Sequence, residues 1–211
     1  MRLPLILVAA TAAIATPIVA QQAMQTPGAK SPAAVTGGTY TLDPNHTLVG
    51  WTVDHLGFND YFGIFGDVKG TLVLDPKNPN AAKVDVTVPV SKVTTASAGL
   101  TSHLLRAGKD GGKPDFFGPN PADARFVSTR VQAQGQRAKI AGNLTLNGVT
   151  KPVVLDATFS GAGKAPAMMG GKETVGFHAT TTIKRSEFGV AYGIPMVSDD
   201  VRLNITAAFE K

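Results

Sequence analysis

Apolar and polar residues alternate with period two along most of this chain. Val49, Trp51, Val53 and His55 are interleaved with Gly50, Thr52 and Asp54. Gly70, Leu72 and Leu74 alternate with Thr71 and Val73, and Val84, Val86, Val88 and Val90 with Asp85, Thr87 and Pro89. Val153, Leu155, Ala157 and Phe159 form a further set, and Val201, Leu203, Ile205 and Ala207 the last. Successive side chains of a strand point to opposite faces, so each set describes a strand with one apolar face. β-Branched Val and Thr suit such a half-buried surface.

Turn-forming residues separate the runs: Asp43-Pro44-Asn45, Asp75-Pro76-Lys77-Asn78-Pro79, Gln134-Gly135, Asn147-Gly148 and Gly161-Ala162-Gly163. Asn147-Gly148 is the sharpest of these signals. Both residues tolerate the positive φ of a type I′ turn, which predicts a tight hairpin between flanking strands. The pattern predicts about eight main strands, near 46–55, 63–75, 82–93, 124–132, 137–147, 152–160, 172–186 and 199–210. Pro89 has no N–H for a ladder and marks an edge or a bulge.

One segment departs from the alternation. Residues 96–109 carry Leu100, Leu104 and Leu105 after Thr94-Thr95, a spacing that predicts a short helix. A Gly/Pro-rich loop over 108–121 follows and contains Phe116-Phe117. Short strands, tight hairpins and one-sided polarity fit an all-β, antiparallel, eight-stranded up-and-down barrel, in which closure removes exposed edges. A packed β-sandwich is the alternative architecture. A barrel of this size is either filled by its own side chains or holds one small ligand. The candidate inward residues are small or medium in size, which favours a slender apolar ligand.

The ends and composition narrow this picture. Residues 1–20 read as a signal peptide: Arg2 is a short basic start, Leu3–Val19 is apolar, and Ala20 precedes Gln21 as a cleavage point. Residues 21–37, rich in Gln, Thr, Pro, Gly, Ala and Ser, read as a flexible linker. Residues 38–211 then form one domain. Export implies an oxidising compartment, with no stable membrane insertion after the signal is removed. The chain has no cysteine, so disulfides, thiolate ligands and cysteine nucleophiles are excluded. Its formal charge of +5 is spread over scattered lysines and arginines, which argues against a nucleic-acid surface.

The stretch Gly142-Asn143-Leu144-Thr145-Leu146-Asn147-Gly148-Val149-Thr150-Lys151-Pro152-Val153 resembles the YceI-like family of periplasmic, lipocalin-like proteins that bind polyisoprenoid lipids. The resemblance covers residues 39–209. It includes Asp43-x-x-His46-Thr47-x-Val49-x-Trp51-x-Val53-x-His55, where the family usually shows Phe at the Trp51 position. It continues through Gly63-x-Phe65, Gly70-x-Leu72, His103-Leu104, Asp115-Phe116-Phe117, Ala124-x-Phe126-x-Ser128 and Arg185-Ser186-Glu187-Phe188-Gly189. The family usually has Arg-Asp before its His-Leu; Thr101-Ser102 stand there in this chain, and 108–113 reads as an insertion. The resemblance implies an extended lipocalin-like barrel with a short helix and lid loop. It also implies binding or carriage of a polyisoprenoid, or a similar long-chain amphiphile such as an isoprenoid quinone. A secreted structural or stress-interaction barrel with a filled core is the other reading.

On this basis Trp51, Val53, His55, Phe65, Leu104, Phe116, Phe117, Phe126 and Arg185 are the candidate ligand-binding residues. Leu104, Phe116 and Phe117 belong to the expected lid. Trp51 and Val53 belong to the expected inner wall. Arg185 either forms a structural contact, for example with Glu187, or meets a phosphate through its planar fork. The four histidines, His46, His55, His103 and His178, show no metal-ligand spacing, although His46 and His55 could converge across a turn. No cofactor is expected. No catalytic residue is expected either: Ser102 and His103 are neighbours that do not face each other on a helix, and no G-x-S-x-G elbow is present.

Overall fold

The computed structural model describes residues 26–211, so the signal-peptide reading lies outside the described residues. The period-two runs form antiparallel strands. In chain order these are β1 (Gly38–Leu42), β2 (Leu48–His55), β3 (Asn59–Phe65), β4 (Lys69–Leu74), β5 (Lys83–Val88), β6 (Val93–Thr94), β7 (Ala124–Gln134), β8 (Arg137–Leu146), β9 (Val149–Lys164), β10 (Glu173–Lys184) and β11 (Asp200–Glu210). The single α-helix among the described residues, α1 (Ala98–Leu105), starts where the Ser97 hydroxyl accepts the Leu100 N–H at 3.2 Å.

Eight strands close a barrel in the order β1-β4-β5-β7-β8-β9-β10-β11, with β11 returning to β1. β11 serves two further neighbours. Phe209 and Glu210 pair with Leu42 and Thr41 of β1, while Arg202–Thr206 pair with Thr52–Leu48 of β2. β2, β3 and β6 therefore extend the sheet as a flank beyond the closed barrel. The step from β1 to β2 is held by Asp43, whose N–H donates to Ala208 O at 2.8 Å, and by the buried Thr47 hydroxyl, which accepts the Ala208 N–H at 3.1 Å.

The expected hairpin at Asn147-Gly148 is present. Both residues have positive φ, at 50° and 76°, and Leu146 pairs with Val149 across the turn. Other expectations are corrected. The run expected as one strand over 63–75 is two, β3 and β4, broken where the chain leaves the flank and enters the barrel; Asp67 there has φ 54°. The strand expected over 82–93 stops at Val88, because Pro89 ends the ladder, and a 3₁₀ turn over Val90–Lys92 leads into β6. β1 has too few alternating positions to stand out in the sequence.

The described part of the expected linker is not loose. Ala29 and Ala162 exchange backbone hydrogen bonds at 2.8 and 2.9 Å, and the Gln136 side chain donates to Lys30 O at 2.9 Å. The Thr36 N–H and hydroxyl donate to the Glu173 carboxylate, which also accepts the Tyr40 hydroxyl at 2.8 Å. The Lys211 ammonium bonds Gly37 O at 2.7 Å and stands 4.6 Å over the Tyr40 ring. This segment is a strap across the barrel end formed by the Asp75–Pro79 and Gln134–Arg137 turns, and Ala34 and Val35 pack against the core. That core gathers Tyr40, Leu42, Val68, Leu72, Val175 and Phe209. Among the described residues no helix is long and apolar enough to cross a membrane.

Candidate functional site

The inward faces of the eight barrel strands do not fill the barrel. They enclose an apolar chamber of about 350 Å³, in the size range of small-molecule sites. Its middle is kept open by register. Ala138 of β8 pairs with Ala157 of β9, which pairs with Ala179 of β10, and all three line the chamber. Three methyl side chains abreast leave the space that larger inward residues would occupy. Toward the strap the walls include Pro32, Val35, Pro76 and Gln136. Toward the opposite end they include Phe126, Leu144, Thr181 and Leu203.

Val84, Val86 and Val88 line one wall, as their alternation requires, while Asp85 points outward and its carboxylate takes a bidentate pair from Arg125 at 2.9 and 2.6 Å. The hydrogen bonds from Arg125 hold the Asp85 carboxyl below the usual carboxylate range, against a smaller effect of burial. The inner wall is thus almost entirely hydrocarbon. Charge is confined to the outer face and the ends.

Among the residues selected from sequence, Phe126 lines the chamber. Trp51 and Val53 are on the inward face of β2, in the flank next to the chamber wall. Phe65 pairs with Val49, which does line the chamber, and packs at the edge of the core. His55 ends β2 and is exposed. His46 and His55 bracket β2 at its two ends, so they do not converge.

The expected lid is the main correction. Leu104 is buried, and its carbonyl accepts the Phe117 N–H at 3.1 Å. Phe117 packs edge-on against Phe65 with ring centres 6.3 Å apart, and Phe116 packs against His103 and Tyr192. None of Leu104, Phe116 and Phe117 lines the chamber. The helix and loop cover the flank, whose inward face would otherwise be wet. The segment that reaches the chamber is the strap, through Pro32 and Val35. The loop is further pinned by Asp115, which accepts from Arg106 at 2.8 Å and lies 2.7 Å from His103 Nε2. The Arg106 and His103 hydrogen bonds lower the Asp115 pKa.

Arg185 has the structural role, by a route different from a Glu187 pair. It is buried, and its guanidinium donates to four backbone carbonyls, those of Ser198, Val190, Tyr192 and Val197, at 2.8–2.9 Å. Desolvation lowers its pKa, and Asp199 nearby opposes that. The side chain ties together the connection between β10 and β11 and does not line the chamber. Sequence reasoning missed the three alanines and the strap residues Pro32 and Val35. Alternation marked Ala157 as inward, but its alignment with Ala138 and Ala179 is a property of register.

Comparison with known proteins agrees with this architecture. The YceI-like domain matches residues 40–209. A UPF0312 protein of Pseudomonas paraeruginosa is 40% identical over 168 residues, covering 78% of this chain and 82% of the relative. The crystal structure of a Campylobacter jejuni YceI protein superposes with a TM-score of 0.61 at 31% identity, covering 75% of this chain and 89% of that one. A polyisoprenoid-binding domain from Saccharophagus degradans, implicated in plant cell wall breakdown, shares the fold with a TM-score of 0.54 at 12% identity, over 81% and 97% of the two chains. Matched along nearly its whole barrel and at 40% identity over 168 residues to a relative of which it covers 82%, the chain belongs to the YceI-like family.

Proposed function

We propose that this protein binds a polyisoprenoid or a related long-chain amphiphile, such as an isoprenoid quinone, inside the barrel, and carries it in the periplasm once residues 1–20 are removed. The observation that carries the proposal is the hydrocarbon-walled chamber held open by Ala138, Ala157 and Ala179. A narrow, apolar, elongated space suits a chain of methylenes and methyl branches. Each buried methylene contributes on the order of 0.8 kcal/mol, so a five-carbon isoprene unit contributes about 4 kcal/mol before the cost of ordering the lipid. The S. degradans relative supports the ligand class by its polyisoprenoid binding. The chamber weighs against a barrel filled by its own side chains, and its walls carry no arrangement of nucleophile and base.

The test is extraction. Protein purified from its native host is extracted with organic solvent and the extract is weighed by mass spectrometry. A long-chain isoprenoid in near-stoichiometric amount is the expected result. Repeated extracts without such a molecule, from protein whose chamber excludes added lipid, overturn the proposal. Intact mass of exported protein beginning near Gln21 is the matching result for the carrier location; a full-length chain held in the membrane would contradict it.

A further inference from the structure

The barrel wall is not fastened equally all round. β7 pairs with β8 along its length, from Arg125–Thr145 to Gln134–Arg137. On its other side it pairs with β5 only from Ala124 to Val127, opposite Val88 to Asp85. Residues 128–134 have no ladder partner on that side among the described residues, because the chain before Lys83 turns aside through the 3₁₀ turn Pro79–Ala81. Two side chains cross the gap instead. The Ser128 hydroxyl accepts the Val84 N–H at 2.8 Å, and the Asn80 side-chain oxygen accepts the Ala133 N–H at 2.8 Å.

A recess of about 520 Å³ opens over this gap, bordered by the exposed Lys83, Thr129 and Arg130. Its lining also includes Ala82, Val84 and Val131, and the same three side chains line the chamber. The partition between recess and chamber is thus one methyl and two isopropyl groups thick, at a place where the β5–β7 ladder has ended. Parting a ladder breaks a row of backbone hydrogen bonds together. Parting this seam breaks two, and both freed N–H groups lie beside a recess that admits water to replace them. The neighbouring barrel end is closed by the strap, which Ala29, Lys30, Pro32 and Val35 hold down.

We infer that the β5–β7 seam is the portal by which an apolar chain enters and leaves the chamber, sideways through the wall, while the strap stays in place. The inference rests on the lipid-binding reading and adds to it the route. Ala82, Val84 and Val131 present hydrocarbon on both sides of the passage, continuous with the chamber wall.

Delipidated protein is mixed with all-trans-retinol, an isoprenoid whose fluorescence rises on leaving water, and entry and exit are timed by stopped flow. Ser128 and Asn80 do not line the chamber. Ser128→Ala or Asn80→Ala removes one neutral hydrogen bond across the seam, and each should speed entry and exit alike by about three- to tenfold. The retinol Kd should stay within about twofold, because a portal changes the barrier and not the bound state. Loss of a ligand contact would instead speed exit alone. The converse variant joins Lys83→Cys to Thr129→Cys across the recess with a short bis-maleimide, in a chain that has no other cysteine. Joining should slow exchange at least tenfold relative to the same protein left unjoined. Fastening the strap by an Ala29→Cys to Ala162→Cys disulfide, where the two backbones already exchange hydrogen bonds, should leave both rates unchanged. Rates indifferent to Ser128→Ala and to the joined pair, or slowed by the strap disulfide in place of the seam, overturn the inference and leave lipid binding standing. Failure of retinol to bind wild-type protein overturns the two together.

Discussion

Ala157→Phe should empty the barrel of lipid without unfolding it. Ala157 is 6% exposed, lies between Ala138 and Ala179, and points into the chamber. A phenyl group there adds roughly 100 Å³ of side chain to a space of about 350 Å³, close to the room taken by one isoprene unit. Excluding five carbons removes about 4 kcal/mol of gross transfer energy from the ligand. A flexible lipid recovers part of this by shifting along the barrel, so a loss of at least about tenfold in affinity is the expected reading. For the ligand-free protein, filling void contributes up to about 2 kcal/mol at roughly 24 cal/mol per Å³, and imperfect fit costs about 1–3 kcal/mol. These offset, and at about 2–4 °C per kcal/mol the midpoint should stay within several degrees of wild type. Bound lipid per protein and the calorimetric midpoint of delipidated protein are measured on the same preparation, with Ala179→Leu as a smaller step. Full lipid occupancy in a folded Ala157→Phe variant would refute the assignment of the chamber as the ligand site.

Three further outcomes follow from the wall and its fastenings. Val86→Asp should cost about 3–5 kcal/mol, enough to unfold much of the protein, because it puts a carboxylate among hydrocarbon; Thr87→Asp, on the outer face beside Lys69 and Arg125, should be tolerated, and equal melting of the two would show the faces are misassigned. Arg185→Met should lower the urea midpoint by the equivalent of about 3–5 kcal/mol and expose residues 185–199 to protease, since four carbonyls lose their donor at once; an unchanged midpoint would contradict the hub role. Burial raises the Glu173 pKa, but the Thr36 and Tyr40 hydrogen bonds, with Lys211 nearby, outweigh it and leave the folded value below the reference value of 4.5. Its contribution is therefore present above the unfolded pKa and lost as pH falls through the lower folded value, so proteolysis of residues 26–37 should rise below about pH 4.5 and Glu173→Gln should show that exposure already at pH 7.

Alternation and turn chemistry carried the barrel because both are local. Val84, Val86 and Val88 reach the chamber as their spacing requires, and Asn147-Gly148 closes its hairpin through two positive φ angles. What was not legible is relational. No local signal says that Ala138, Ala157 and Ala179 share a row, since that depends on the registers of three strands. Phe116 and Phe117 read as a lid because two aromatics in a loop need something to cover. The sequence does not say that β2, β3 and β6 overhang the barrel and supply that surface. Pro32 and Val35 lack periodicity and so resemble tether, yet they dock because the barrel end offers backbone partners at Ala162 and an apolar rim. Arg185 has no carboxylate partner to find by charge pattern; its partners are main-chain oxygens that converge only once the connection to β11 is folded.

The pairing of β11 sets the timing of folding. Val201–Glu210 are hydrogen-bonded to β10, to β1 and to β2, so β11 joins a strand more than 150 residues before it and also carries the flank. Until those residues are available, β1 and β10 are two unsealed edges and the hydrocarbon interior faces water. A chain emerging from its N-terminus can form the β8–β9 hairpin early, but it cannot complete the vessel before Val201–Glu210 arrive. Contacts spanning nearly the whole domain, such as Leu42 with Phe209, make that closing step slow relative to hairpin formation. The interval before closure is when the wall is open along its length, and it ends as β11 zips into place.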